Sequence, residues 1–296
     1  MDVLTLNNIT KYYGRIHALN NVSFTVPQGS VFGILGPNGS GKTTMLGIIM
    51  DILKASSGTF QIFGKPASAD IRKQIGTLLE TPNFYHYLSG ERNLRIAAEI
   101  KGKGYDGIDE ALKKVNLYER KTSKFSTYSL GMKQRLAIAS CLLGDPEILV
   151  FDEPTNGLDP VGIAEIRGLI QLLASEGKTI IMASHMLDEV EKVCTHVAIL
   201  KKGNLITAGN VDEVLVNEDV VEVSAADMKR LEALLVNMGG YSTMKKTMTA
   251  LQVLYPSGTA DLEKVNQFCF NNGVVLNHLL LKKKSLETKF LELTGN

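Results

Sequence analysis

The residues with the plainest chemical purpose are Gly36-Pro37-Asn38-Gly39-Ser40-Gly41-Lys42-Thr43, which fit G-x-x-x-x-G-K-[ST] at every fixed position, with Thr44 continuing the run. Chance supplies roughly 0.025 such matches in a chain of this composition, so an accidental glycine-rich turn is a poor account of it. Glycines let backbone N–H groups turn inward around phosphate oxygens, and the N-terminus of a following helix adds partial positive charge. Lys42 can reach the β- and γ-phosphates, and the Thr43 hydroxyl is placed for Mg²⁺. The chemistry implied is the binding of a nucleoside triphosphate.

A second group lies at Ile148-Leu149-Val150-Phe151-Asp152-Glu153, four apolar residues ending in two carboxylates. At the C-terminal edge of a buried strand, Asp152 can hold Mg²⁺ through its shell. Glu153, one residue on, is suited to orient and deprotonate a water attacking the γ-phosphate. Alone, the same pattern describes a solvated strand end; beside the glycine-rich run it reads as the second half of a triphosphate site.

Elements must exist to position these groups. Residues 31–35 form a continuous apolar run, as a parallel strand buried on both faces requires. Residues 43–53 carry Met45, Leu46, Ile48, Ile49 and Ile52 at helical spacing. Residues 3–6 and 22–26 suggest a short antiparallel pair about the turn at Tyr12-Tyr13-Gly14. From about Thr81 the texture turns to Leu, Ala, Lys and Glu until Cys141, which predicts a helical insertion. Strand signals return at 148–151, 179–182 and 197–200 with amphipathic stretches between them, so the fold class is α/β with a parallel sheet. After about Val211 the pattern changes. Strands are predicted at 220–223, 247–254 and 274–281, helices at 228–238 and 261–271, and a last helix after Ser285 carrying Leu286, Phe290, Leu291 and Leu293. Domains at 1–212 and 213–296 follow, the second a small α+β unit.

Composition bounds the function without choosing it. The 296 residues are 44% hydrophobic and 21% charged, which excludes a mostly disordered chain. A formal net charge of +1 advertises no nucleic-acid or anionic-lipid partner. Cys141, Cys194 and Cys269 lie far apart and read as reduced thiols. No signal peptide and no apolar stretch long enough to span a bilayer is evident, so a soluble chain is expected.

Taken together, the motifs resemble the ATP-binding-cassette (ABC) family, and the rest of residues 1–212 can be set against its pattern. Ser129 and Gly131 in Tyr128-Ser129-Leu130-Gly131-Met132-Lys133-Gln134 match its signature loop, while Tyr128, Leu130 and Met132 depart from the usual form. Ser-x-Gly before a helix is also an ordinary N-cap. Gly157-Leu158-Asp159 resembles the D-loop, and His185 after residues 179–182 resembles the switch histidine that contacts the γ-phosphate. Tyr13 resembles the aromatic that stacks on adenine, with Tyr12 beside it as the competing choice. Glu80 stands where the family usually has glutamine, an oxygen donor that can approach Mg²⁺. Phe84, Tyr85 and Tyr87 read either as core of the insertion, about 82–142, or as a groove gripping a helix of a membrane partner. Lys282-Lys283-Lys284 reads as a solvated turn rather than a lipid-binding cluster.

The resemblance implies a P-loop NTPase fold with a mixed sheet, ATP and Mg²⁺ as ligands, and catalysis by Glu153 and His185. It implies a homodimer in which Ser129, Gly131 and Asp159 serve the ATP held mainly by the other copy. It implies a separate transmembrane permease, a location on the cytoplasmic face of the cell membrane, and no nucleic acid. Within the family the chain looks most like ATPase subunits of bacterial antimicrobial-peptide and drug exporters, such as bacitracin and lantibiotic immunity systems. A soluble cassette ATPase acting on ribosomes or nucleic acid is the alternative, as is an ATP-sensing regulatory subunit.

Overall fold

In the computed structural model, which describes residues 1–66, 68–79, 83–215, 218–256, 258–282 and 290, the apolar run Val31–Leu35 forms a strand, β3, buried along its whole length. It lies in a six-stranded sheet with β6 (Ile75–Leu78), β7 (Ile148–Asp152), β8 (Thr179–Ser184), β9 (His196–Lys201) and β10 (Asn204–Asn210). The order is β10-β9-β3-β8-β7-β6, parallel throughout except for the edge hairpin of β9 and β10. The register pairs Leu35 with Ser184 and Asp152 with Ala183. The segments leaving β3, β8 and β7 are therefore neighbours along the carboxyl edge of the sheet, where open α/β sheets bind ligands.

A second sheet, antiparallel, has the order β2-β1-β4-β5, from β1 (Asp2–Tyr13), β2 (Ile16–Pro27), β4 (Ser57–Ile62) and β5 (Lys65–Pro66). The first two strands run 12 residues each, far longer than the expected pair at 3–6 and 22–26. Asn8 and Asn21 take left-handed backbone, φ 54° and 53°, and shifts of register let pairing continue where the apolar alternation breaks.

Between the sheets sits α1 (Lys42–Ile49), whose Met45, Leu46, Ile48 and Ile49 join one core with Leu4, Leu6, Phe32, Val150 and Ile181. The helix expected over 43–53 stops four residues early. Asp51 adopts φ 58°, the Gly47 carbonyl accepts the N–H groups of Ile52 and Leu53, and Leu53 packs back on Gly47. That closure ends the helix and turns Ile52 out to solvent, so the apolar spacing at 52 and 53 reports a cap rather than another turn.

After α2 (Ala69–Arg72), the insertion carries α3 (Gly90–Lys101), α4 (Ile108–Lys114) and α5 (Leu130–Leu142), with single 3₁₀ turns at Tyr118–Arg120 and Phe125–Thr127. Helices α6 (Pro160–Ser175) and α7 (Leu187–Val193) then alternate with β7, β8 and β9.

The chain divides into two compact units, Met1–Val211 and Asp212–Asn296, with α8 (Val211–Leu215) at the division. The second unit runs β11 (Glu218–Ala225), α9 (Met228–Met238), β12 (Thr243–Lys246), β13 (Leu251–Pro256), α10 (Leu262–Asn271) and β14 (Leu276–Lys282). Its antiparallel sheet has the order β12-β13-β11-β14, the split β-α-β arrangement. Val221, Val223, Leu251 and Val253 meet Leu231, Leu235, Val265 and Cys269 from the two helices in a separate core. Of the strand expected at 247–254, only 251–254 are strand, the start of β13; residues 247–250 form the turn from β12, held by Thr247 and Ala250, which exchange hydrogen bonds. The expected last helix after Ser285, apart from Phe290, lies outside the described residues, as do Lys283 and Lys284.

All three cysteines are free and buried, and desolvation raises each thiol, Cys141 to about 12. The folded protein should therefore show no fast-reacting thiol toward a disulfide reagent at pH 8, and three in denaturant. A rapidly modified thiol in the native state would contradict this packing.

Candidate nucleotide site

The glycine-rich segment leaves β3 at Gly36 and enters α1 through Gly41, whose φ of 108° is closed to most side chains. A Cβ on Gly41 would also stand 2.6 Å from the Ala18 carbonyl, so β2 presses directly on the loop. Gly41 is the N-cap of α1 and supplies no side chain, leaving the N–H groups of the first turn open toward the loop. A second brace comes from the turn joining β9 and β10. There Lys202 and Gly203 both have positive φ, and the Gly203 N–H donates to the Ser40 carbonyl at 3.0 Å.

Lys42 is buried, and its ammonium donates to the carbonyls of Gly36 at 2.8 Å and Pro37 at 3.4 Å. It also stands 3.4 Å from Glu153 Oε1. The other carboxylate oxygen of Glu153, Oε2, lies 2.9 Å from His185 Nδ1 and accepts the His185 backbone N–H at 3.4 Å. Three residues from three adjacent strand ends thus form one polar chain, Lys42–Glu153–His185. With Nδ1 engaged by the carboxylate, the other ring nitrogen, Nε2, is the edge of His185 left for a ligand. Glu153 holds φ 49°, a left-handed backbone that costs a residue of its type about 1–3 kcal/mol, and strain of that kind gathers at working sites.

A cleft of about 540 Å³ opens beside this chain, lined by Tyr13, Asn38, Gly39, Ser40, Gly41, Lys42, Thr43, Thr44, Glu153 and Lys202, with Ile16, His17 and Ala18 along β2. Its size suits a nucleotide. Tyr13 is half exposed there with the Lys11 ammonium 5.1 Å from its ring centre; Tyr12 instead packs edge-on against His17 and is not among the lining residues. Ser40 Oγ is buried with no hydrogen-bond partner, and the uncapped N-terminus of α1 faces the same loop. An oxyanion ligand would satisfy both, so the residues present fit a phosphate chain. Asp152 is buried at the end of β7, and Thr43 is exposed on the first turn of α1, an oxygen set suited to Mg²⁺. Glu80, expected to join them, lies outside the described residues.

Two positions that shape this site, Lys202 in the cleft lining and Gly203 bracing Ser40, carry no sequence signal of their own. Lys202 and Gly203 belong to a hairpin turn far along the chain, and only the Lys-Gly pair between two strands could have pointed to a positive-φ turn. The strand β10 beyond it is exposed on alternate residues over most of its length.

Ser129, Gly131 and Asp159 do not line the cleft around Lys42. Ser129 is the N-cap of α5, accepting the Met132 N–H at 3.3 Å, and a Cβ on Gly131 would meet nothing within 4 Å. Asp159 caps α6 through the Gly162 N–H at 2.9 Å, a duty within the chain that the sequence reading did not assign. Gly157 lies against the Leu130 side chain, so the two motif segments are neighbours, and Leu130 is half exposed.

The aromatic stretch divides its side chains. Phe84 and His86 stack edge-on against buried Phe125, whereas Tyr85 and Tyr87 contact one another and face outward. Buried Asn93 pins the segment by accepting from the Tyr85 N–H at 2.8 Å and donating to its carbonyl at 3.1 Å. A groove of about 380 Å³ results, walled by Phe84, Tyr85, Ile96, Ala97 and Ile100.

Comparison with known proteins agrees with this geometry. Residues 19–156 match the ABC transporter family. The chain is 34% identical to the bacitracin transport ATP-binding protein BcrA of Enterococcus faecalis, over 99% of this chain and 96% of that protein. It is 36% identical to the lantibiotic transport ATP-binding protein SrtF of Streptococcus pyogenes, over 74% of this chain and 99% of SrtF. Among solved structures, the dimeric post-hydrolysis form of the ATP-binding cassette MJ0796 bound to ADP and Pi superposes with a TM-score of 0.62 at 28% identity, covering 70% of this chain and 98% of that one. No helix among the described residues is long and apolar enough to cross a membrane. A phosphate loop, a strand-end carboxylate and a histidine brought together by a P-loop sheet, in a chain aligned end to end with transport ATPases, place the protein in the ABC family as an ATP-binding, ATP-hydrolysing subunit that energises a transporter.

Proposed function

We propose that this chain drives export of antimicrobial peptides or drugs, working as a homodimer on the cytoplasmic face of the membrane with a separate transmembrane permease. The observation that carries the mechanism is the Lys42–Glu153–His185 chain at one sheet edge. Arriving triphosphate draws Lys42 off its own loop carbonyls and off Glu153, because phosphate oxygens are stronger acceptors for an ammonium than a peptide carbonyl. Glu153, released from the lysine, orients and deprotonates the attacking water, while Nε2 of His185 meets the γ-phosphate. Thr43, Asp152 and Glu80 are the donors for Mg²⁺, which when bound neutralises phosphate charge. Tyr13 stacks on the adenine.

The exposed Ser129-Leu130-Gly131 edge supports a composite site. The Ser129 hydroxyl caps the Met132 N–H, Leu130 is half exposed and a Cβ on Gly131 would meet nothing within 4 Å, so the start of α5 offers a surface-facing helix N-terminus of the kind that takes an anion. In the proposed dimer Ser129 and Gly131 meet ATP held by the other copy, and Asp159, while capping α6, lies at the crossing. Each site needs both chains, so closure is symmetric. The groove beside Tyr85 is where the permease helix docks. The export reading rests on likeness to BcrA and SrtF. The second unit is an accessory domain: the likeness to BcrA covers 99% of this chain and so includes it, whereas SrtF is spanned by 74% of this chain.

Glu153→Gln should lower ATP turnover roughly 10²–10⁴-fold, about 3–5 kcal/mol, with ATP affinity kept or tightened because Lys42 loses its internal counter-ion. Unchanged turnover would reject Glu153 as the base. Purified from native membranes in mild detergent, the chain should bring down a multi-span membrane protein, and Tyr85→Ala with Tyr87→Ala should release it without loss of ATP binding. Phe84 is left in place because it packs on Phe125. Recovery of ribosomes or nucleic acid alone would reject the transporter partner.

A further inference from the structure

Glu153 and His185 meet through one contact, but the two segments that carry them are joined a second time. One segment runs from β7 through Glu153 and Asp159 into α6; the other runs from β8 through His185 into α7. On α6, Arg167 Nη1 donates to both carboxylate oxygens of Glu189 on α7, at 3.2 and 3.1 Å. Lys192 adds a third contact to Glu189 at 3.1 Å, and Glu189 is only 7% exposed. One turn beyond Arg167, Gln171 donates to the Lys192 carbonyl at 3.3 Å. A nearly buried carboxylate held by two cations and bonded on both oxygens has a fixed orientation, so it fixes the first turn of α7. Glu189 stands in that turn, which begins two residues after His185.

The opposite side of α6 is held as well. Glu165 lies 3.6 Å from Arg135 of α5, and residues two apart project roughly 200° apart around a helix. Helix α6, whose N-terminus is capped by Asp159, is therefore ionically tied to α5, which starts just after Ser129, and to α7, which starts just after His185. We propose that Arg167 and Glu189 are positioning residues that hold the His185 ring against Glu153, making the placement of His185 depend on the placement of α6 and the Asp159 end that leads it. The proposal rests on the role given to His185 above. The competing account is a purely structural staple, whose breaking by removal of one partner would destabilise the fold and leave the His185 ring where it is.

The test begins with imidazole NMR, because the chain has only five histidines, at 17, 86, 185, 196 and 278. The His185 resonance is identified by its loss in His185→Ala. Glu189→Gln, which keeps the shape and removes the charge, should shift the His185 resonance and leave the other four in place. Under saturating ATP the same variant should lose about tenfold in kcat with nucleotide Kd unchanged, and Arg167→Lys should keep most of the wild-type kcat. In a His185→Ala background, single-turnover hydrolysis should fall less than about twofold further on adding Glu189→Gln, since the effect acts through the ring. If Glu189→Gln does not fold, Arg167→Gln takes its place in each measurement. An unmoved His185 resonance, or an equal loss in both backgrounds, overturns the positioning role. A His185→Ala chain with full turnover overturns the role of His185 itself and the proposal with it.

Discussion

A buried ammonium must find oxygen, and the site is organised around how Lys42 does so. In the chain as described it is satisfied by Gly36, Pro37 and Glu153. Leaving such a charge unpaired at 6% exposure would be strongly unfavourable, so the loop, the lysine and the glutamate hold one another in place. The same contacts make the site responsive. Phosphate oxygens offer Lys42 a better set of partners, and whatever draws the lysine away also changes the surroundings of Glu153. In the proposed cycle, binding and the freeing of Glu153 are two sides of one exchange.

The fold serves this exchange by bringing strand ends together. Because β8 lies between β3 and β7, the segments after Leu35, Asp152 and Ser184 share one edge, within reach of the Lys42, Glu153 and His185 side chains that connect them. The antiparallel sheet adds Tyr13 and the strand that braces Gly41, while the β9–β10 turn adds Lys202 and grips Ser40 through Gly203. The helices α5, α6 and α7 each begin at or just beyond a motif residue, so their N-termini are the outward side of the machinery.

The centre of the site was legible in the sequence because its chemistry is local. The loop from Gly36 to Thr44 and the pair Asp152-Glu153 are contiguous, and buried parallel strands announce themselves as unbroken apolar runs. What escaped depends on the partner of a residue rather than its type. Ile52 and Leu53 continue a helical spacing, yet an αL residue at Asp51 ends the helix before them. Residues 247–250 look like the start of a strand because Thr247 and Met248 suit one, while Thr247 in fact closes a turn. Asn-rich stretches near 8 and 21 hide two long strands, since bulges tolerate the polar residues that interrupt alternation. That Phe84 and His86 lean on Phe125 while Tyr85 and Tyr87 pair with one another cannot be seen without Phe125, about forty residues away in the chain.

In the proposed dimer, one chain holds half a catalytic site and ATP joins two halves. Sedimentation equilibrium of Glu153→Gln with saturating ATP and Mg²⁺, compared with ADP, tests it most directly. A species of twice the 32.3 kDa chain mass is expected with ATP, reverting to monomer with ADP, and lost when Ser129 is replaced by Arg. A chain that binds ATP fully yet stays monomeric, or a dimer indifferent to the nucleotide and to Ser129, would contradict it.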